Sequence, residues 1–284
     1  MQAMEMAPGI VAFLDVGGGP NSGLVQTPDG PTTVIDTTIS PADMQARLDA
    51  VGAKASDVGL VINTHFHTDH TWGNQLFACP ILSHRACRDQ MMANLADEWS
   101  PEELAAWIKE RAKSDPQWAE EMQKKWADLA IILPTETFED RYKTTIGGAQ
   151  LNVIHFGGHT PGSSVVWLPE TRVLFAGDLI FEGRYPFIFH ADIPVLIDGL
   201  KRLPELEAQT IVPGHGAPCG TAEIVALTSY LEESWVRTAG HLAQGHSEDE
   251  TAADPAYPKY TDLGYERYHE ANIRLMYAKQ QITE

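Results

Sequence analysis

Short apolar runs alternate with glycine, proline and aspartate along the N-terminal part of the chain. Residues 10–14, 23–27 and 32–36 read as paired strands, with Pro28-Asp29-Gly30 as the turn between the second and third. Ser40-Pro41-Ala42-Asp43 then reads as a helix start, Ser40 as cap and Pro41 at the first helical position, and Leu48 and Val51 continue the helix. Val58-Gly59-Leu60-Val61-Ile62 is a buried strand. Residues 151–156 and 164–168 are strands on either side of a glycine-rich turn, and Val173-Leu174-Phe175 begins another. Helices are expected over 194–206 and 221–244, the second carrying Ile224, Leu227, Leu231 and Trp235 as one apolar stripe. The polar stretch 246–262 reads as a loop, and 264–279 as a last helix with Tyr265 and Tyr268. Strands alternating with helices predict an α/β layered fold.

The stretch 85–130 differs in character. Ser100-Pro101-Glu102-Glu103 reads as a capped helix start with Glu103 placed for a capping box, and Asp115-Pro116 as another start. Trp99, Trp107, Trp118 and Trp126 recur at 8, 11 and 8 residues, close to whole helical turns. Such a stripe reads first as core packing. As a lid over a pocket it would favour an apolar or aromatic portion of a substrate. We read the whole chain, 1–284, as one domain, with 85–130 as a helical insert and 246–284 as a C-terminal loop and helix.

Composition narrows the partners more than the fold. The formal net charge is −19, which disfavours a phosphate backbone as ligand, so no nucleic acid is expected. No run of about 18 apolar residues suggests a membrane span, and the first nine residues have no signal-peptide pattern, so a cytoplasmic protein acting on a small molecule is expected. Cys79, Cys87 and Cys219 are an odd, irregularly spaced set and read as free thiols. A homodimer through the helical insert is compatible with the sequence.

The chemistry is concentrated after the 58–62 strand, where His65-Phe66-His67-Thr68-Asp69-His70 places four potential metal ligands in six residues. Imidazole and carboxylate are ordinary ligands for zinc, and imidazole also suits iron. In an extended segment His65 and His67 share a side while Asp69 and His70 point elsewhere, so one hexapeptide can serve two adjacent ions. His159 lies in Gly157-Gly158-His159-Thr160-Pro161-Gly162, Asp178 in Ala176-Gly177-Asp178, and His215 in Pro213-Gly214-His215-Gly216. Each follows a strand, which would gather them along one edge of the sheets, and the glycines let a short loop aim a side chain inward.

With the pattern HxHxDH and the later His, Gly-Asp and Pro-Gly-His-Gly in this order, the chain resembles the metallo-β-lactamase superfamily of metal-dependent hydrolases, from about Gly9 to Gly216. The resemblance implies a four-layer αβ/βα sandwich, two mixed sheets face to face with helices outside. It implies His65, His67 and His159 at a first metal, Asp69, His70 and His215 at a second, and Asp178 bridging both with a hydroxide. Asp69 could also orient that hydroxide or shuttle its proton. Two divalent ions, zinc by default with iron or manganese compatible, would lower the pKa of bound water toward about 7 and polarise a carbonyl or phosphoryl oxygen. Asp178 places the resemblance nearest the glyoxalase II and lactonase branches, so an ester, lactone or thioester is the expected substrate. β-Lactam hydrolysis and an iron-dependent oxidoreductase are the alternatives. The loop 183–190, just past Asp178, adds Tyr185 and His190 as expected hydrogen-bond or proton donors at the pocket, and Arg184 as an anchor for a carboxylate. The other histidines, including His84, are expected to be structural or exposed.

Overall fold

The computed structural model describes residues 1–15, 17–27, 30–261 and 266–282, with the backbone alone at 266 and 267. The expected turn residues Pro28 and Asp29, and the expected start of the last helix at Gly264 and Tyr265, lie outside the described residues. Among the described residues twelve strands form two sheets. The first contains β1 (Gln2–Ala7), β2 (Ile10–Leu14), β3 (Ser22–Val25), β4 (Thr32–Ile35), β5 (Val58–Ile62), β6 (Ile81–His84) and β7 (Glu136–Phe138), in that order. Its pairs are antiparallel as far as β4 and parallel beyond. The second contains β8 (Arg141–Ile146), β9 (Ala149–His155), β10 (Ser164–Leu168), β11 (Val173–Phe181) and β12 (Thr210–His215) in reverse order, with only the β11–β12 pair parallel. The helices are α1 (Pro41–Ala50), α2 (Thr68–Thr71), α3 (Arg85–Leu95), α4 (Pro101–Arg111), α5 (Pro116–Lys125), α6 (Ile193–Arg202), α7 (Thr221–Ala243), α8 (Glu248–Ala252) and α9 (Glu266–Gln281). No described helix is long and apolar enough to cross a membrane.

The period-two alternation of each strand sorts its side chains into layers. Ile10, Ala12, Leu14, Leu60 and Ile62 of the first sheet meet Leu151, Val153, Val166, Val173 and Phe175 of the second, forming the central core. Phe13, Val34 and Val61 face the other way, onto Met44 and Leu48 of α1. Val165, Leu174 and Ala176 face outward onto Leu196 and Leu200 of α6 and Ile224, Leu227 and Leu231 of α7. The result is the expected four-layer αβ/βα sandwich, helix–sheet–sheet–helix. Gly23 lets the two sheets approach, since a Cβ there would lie 2.5 Å from the Phe175 ring.

Helix starts follow the capping pattern. Ser40 Oγ accepts from the Asp43 amide at 3.1 Å and Ser100 Oγ from the Glu103 amide at 3.3 Å. The insert packs as a fourth core: Trp99, Met122 and Trp126 are buried with Phe66 and Trp72, which lie in and just after the hexapeptide. Its packing therefore bears directly on the site.

Three expectations need correction. The stretch 246–262 is not all loop. It contains α8, whose Ser247 and Glu250 form a reciprocal capping box, and Arg274 of α9 binds Glu248 and Asp249 from outside. The helix expected over 194–206 starts one residue earlier, capped by Asp192, and ends at Arg202; Leu203–Leu206 tightens into a separate 3₁₀ turn, where Pro204 has no amide to donate. Asp178 is not in a turn after its strand but inside the nine-residue β11, beside a bulge at Gly177.

Candidate metal centre

β5 delivers the hexapeptide to the rim shared by the two sheets. Its first half is extended and its second half is the single turn α2, which separates His65 and His67 from Asp69 and His70. A buried amide network fixes this base. Asn63 and Asn74 exchange side-chain hydrogen bonds at 3.1 and 2.9 Å, and Thr37 Oγ1 donates to Asn74 Oδ1 at 2.9 Å. The loop between β9 and β10 brings His159, β11 brings Asp178, and the last residue of β12 is His215. Glycines make the convergence possible. A Cβ on Gly214 would fall 1.8 Å from Asp178 Oδ1, and one on Gly177, at φ +51°, would fall 2.6 Å from Thr64 Oγ1.

All seven expected side chains come together. His67 Nδ1 stands 3.1 Å from both His65 Nε2 and His159 Nε2. Asp178 Oδ2 lies 3.6 Å from His65 Nε2 and 3.5 Å from both His159 Nε2 and His215 Nε2, while its Oδ1 lies 3.2 Å from His70 Nε2. Asp69 Oδ2 is 3.5 Å from His215 Nε2 and 4.0 Å from His70 Nε2. Two ligand groups result, His65–His67–His159–Asp178 and Asp69–His70–His215, each with its donor atoms within 4.8 Å of one another. Zinc–nitrogen bonds of about 2.0–2.1 Å put tetrahedral ligand atoms roughly 3.3 Å apart, within the 3.1–3.6 Å separations given above for the first group.

Outer partners set the imidazole tautomers. Thr64 Oγ1 donates to Asp36 Oδ2 at 2.7 Å, so at 3.0 Å it accepts from His65 Nδ1. His70 Nδ1 donates to Asp36 Oδ2 at 2.9 Å and His215 Nδ1 to the Gly19 carbonyl at 3.0 Å. The Nε2 atoms of His65, His70 and His215 then face inward onto Asp178, as the atoms that would ligate an ion. His70 Nε2 and Asp178 Oδ1 are buried without a hydrogen-bond partner, the state of polar atoms shaped to bind an ion. Asp36 also lies near His65 and His70 and could be counted as a ligand. Its oxygens already accept from the Thr64 amide, the Thr64 hydroxyl and His70, so it is a support behind the ligands.

The electrostatics agree with a cation site. Burial and then the neighbouring His65 and His159 hold His67 well below the ordinary histidine value. Burial also pushes His159 far down, against the pull of Asp178. For His70 burial acts the same way but is outweighed by Asp178, Asp69 and Asp36, which together raise it well above 6.5. Burial opposes ionisation of Asp178, yet His215, His70 and His65 hold its pKa well below the carboxylate range.

The centre opens into a cleft of about 420 Å³ lined by, among others, Asp69, Asp178, Trp99, Trp107, Phe187 and His190. His190 Nδ1 is 2.9 Å from His67 Nε2. Arg184 also lines the cleft, and its guanidinium donates to the Gly18 carbonyl. Tyr185 is a correction: expected at the pocket, it is buried in the outer core against Tyr230, Tyr260 and His269 and does not line the cleft. In the loop after β11 Tyr185 turns inward while Phe187 turns out, an alternation the sequence leaves open. Cys219 pairs its backbone with Ile211 and also stays outside the cleft. Asp36 and Thr64 were missed; the one signal for Asp36 is an acidic residue closing the run Thr33-Val34-Ile35.

The family model of the metallo-beta-lactamase superfamily matches residues 15–215. The chain is 23% identical to a linear primary-alkylsulfatase of Pseudomonas sp., over 86% of its own length and 51% of that protein. It is 24% identical to the acyl-coenzyme A thioesterase MBLAC2 of Gallus gallus, over 72% of its length and 75% of the relative. It is 36% identical to a hydroxyacylglutathione hydrolase of Rhodospirillum rubrum, over 61% of its length and 54% of that protein. Among solved structures, the sec-alkylsulfatase Pisa1 from Pseudomonas sp. superposes with a TM-score of 0.75 at 14% identity, covering 98% of this chain and 50% of that one. The chain thus spans about half the length of the alkylsulfatases it matches, and the structural likeness is one of fold.

Proposed function

The chain belongs to the metallo-beta-lactamase superfamily, and from that premise we propose that it is a dinuclear metal-dependent hydrolase of an ester, lactone or thioester of a small molecule. The observation that carries this reading is the central carboxylate: Asp178 lies within 3.6 Å of His65, His159 and His215 through one oxygen, and 3.2 Å from His70 through the other. His65, His67 and His159 would hold one ion and Asp69, His70 and His215 the other, with Asp178 shared. Divalent cations held there supply a water of lowered pKa and polarise the bond to be cleaved.

The remaining roles fall to the chain's own groups. Asp69, partly exposed at the cleft, can accept a proton at the carboxylate oxygen not used to hold an ion and pass it on. With Nδ1 of His67 committed to an ion, its Nε2 carries the proton and donates to His190 Nδ1, which leaves the Nε2–H of His190 free to donate toward a leaving group. Arg184 in the cleft wall would hold a carboxylate. A sulfate ester is the second reading, favoured by the alkylsulfatase matches that span 86% and 98% of this chain.

The test is reconstitution with zinc, manganese or iron, followed by assay of thioesters, lactones, carboxyl esters, alkyl sulfates, β-lactams and phosphodiesters beside oxygen uptake. Hydrolysis of at least one acyl substrate is expected, and Asp178→Ala should lower it by orders of magnitude. Oxygen consumption with no hydrolysis would move the protein to an oxidoreductase. Cleavage of alkyl sulfates alone would select the second reading.

A further inference from the structure

The mouth of the metal cleft is walled by aromatic side chains from three separate parts of the chain. Trp99 and Trp107 come from the insert, Phe187 from the loop after β11, and Phe66 from the hexapeptide itself. Trp99 is buried against Trp72 and Phe66, but Trp107 is 45% and Phe187 44% exposed. Neither of the exposed rings is loose. Trp107 stacks on Trp126 with centroids 5.5 Å apart, and Phe187 stands edge-on to His67 at 5.6 Å. Two large apolar surfaces held half bare beside a metal centre mark a ligand-binding wall, because water is a poor partner for both.

Charge narrows the class further. Apart from the residues that would hold the metals, the charged side chains lining the cleft are Glu98 and Arg184. A carrier with several phosphates would find a single cationic side chain beyond the metal centre, where such a carrier calls for a cluster of them. We infer that Trp107 and Phe187, backed by Trp99, are specificity-determining residues that clamp an uncharged acyl or alkyl chain, and that the preferred substrate is a simple ester of such a chain rather than its coenzyme A thioester. This rests on the hydrolase reading above for its catalytic part, though not for binding.

Two measurements separate those parts. The first is kcat/KM for 4-nitrophenyl acetate, butyrate and octanoate, and for octanoyl-coenzyme A, with wild type, Trp107→Ala and Phe187→Ala. Activity in the wild type should rise with chain length and favour the octanoate ester over its coenzyme A thioester. Each variant should lose about tenfold or more on octanoate, the worth of one buried aromatic contact, and progressively less on shorter chains. Phe187→Ala leaves the insert's packing untouched, so it stands if Trp107→Ala disturbs folding. The second is isothermal titration calorimetry with octan-1-ol, which needs no metal and no turnover. Saturable binding that weakens in either variant supports the clamp even if no ester is cleaved, in which case the hydrolase reading alone fails. Chain-length preference and binding that are both unchanged in the two variants, or a preference for the coenzyme A thioester, would overturn the inference.

Discussion

Asp36 sits at φ +57°, in the left-handed region that a non-glycine residue occupies at a cost on the order of 1 kcal/mol. That backbone turns its carboxylate under the hexapeptide, where it accepts from the Thr64 amide at 2.8 Å and from His70 Nδ1 at 2.9 Å. A carboxylate behind a ligating imidazole orients the ring and raises its basicity. Asp36→Ala should therefore lower metal affinity by about 10- to 100-fold, as measured by competition with a chromophoric chelator. Affinity equal to wild type would remove Asp36 from the site's support. The convergence of the seven inner side chains was legible because four share one hexapeptide and His159, Asp178 and His215 each stand next to a glycine. Asp36 was not, because its place depends on the parallel pairing of β4 with β5, a contact no local pattern carries. Tyr185 misled for the same reason: which residue of the loop after β11 faces the cleft is decided by the tyrosine cluster that α7 and α9 hold behind it.

At the scale of elements, the junction of β6, α3 and β9 carries a pH-dependent contact. His84 caps α3 by accepting from the Ala86 amide at 3.1 Å, and its ring stacks on that of His155 with centroids 3.7 Å apart. Burial, reinforced by His155, lowers its pKa to about 4. The folded state thus prefers the neutral ring, while in the unfolded chain the ring takes up its proton near 6.5. The contribution is fully present above about pH 6.5 and is lost as pH falls toward 4. His84→Asn keeps a capping acceptor and removes the titration, so denaturant unfolding should show a smaller stability loss between pH 7 and pH 5 than in wild type. An equal loss would show that His84 does not contribute. Strong alternation and cap residues made the central strands, α1, α4 and α5 readable. The edge strands β1, β7 and β8 were not, since they are short or polar and exist through their pairing. α8 is a single capped turn that Arg274 secures from a distance, and its polar surroundings read as loop.

Over the whole molecule, the centre ties both sheets together: the segment after β5 and the strand β11 bring His65 and Asp178 together from opposite halves of the sandwich. Ions bound there should stabilise the complete fold, because they bind the folded chain and not the separated halves. At free metal about 100-fold over Kd, one site contributes about 2.7 kcal/mol. Removing metal with a chelator should then lower Tm by at least about 5 °C in a chain of this size. No change on chelation followed by metal return would mean that the sheets do not depend on the centre. The layered fold was readable from strand–helix alternation. The depth of the insert's docking on Phe66 and Trp72 emerged only in three dimensions.

The claim beneath all of this is that seven side chains form one cage for two cations. Native mass spectrometry of the metal-stripped chain titrated with zinc tests it most directly. Two zinc ions per wild-type chain, and fewer for Asp178→Ala at the same free zinc, are the predicted result. A wild-type chain that stays at its bare mass, or stops at one ion, would contradict the account.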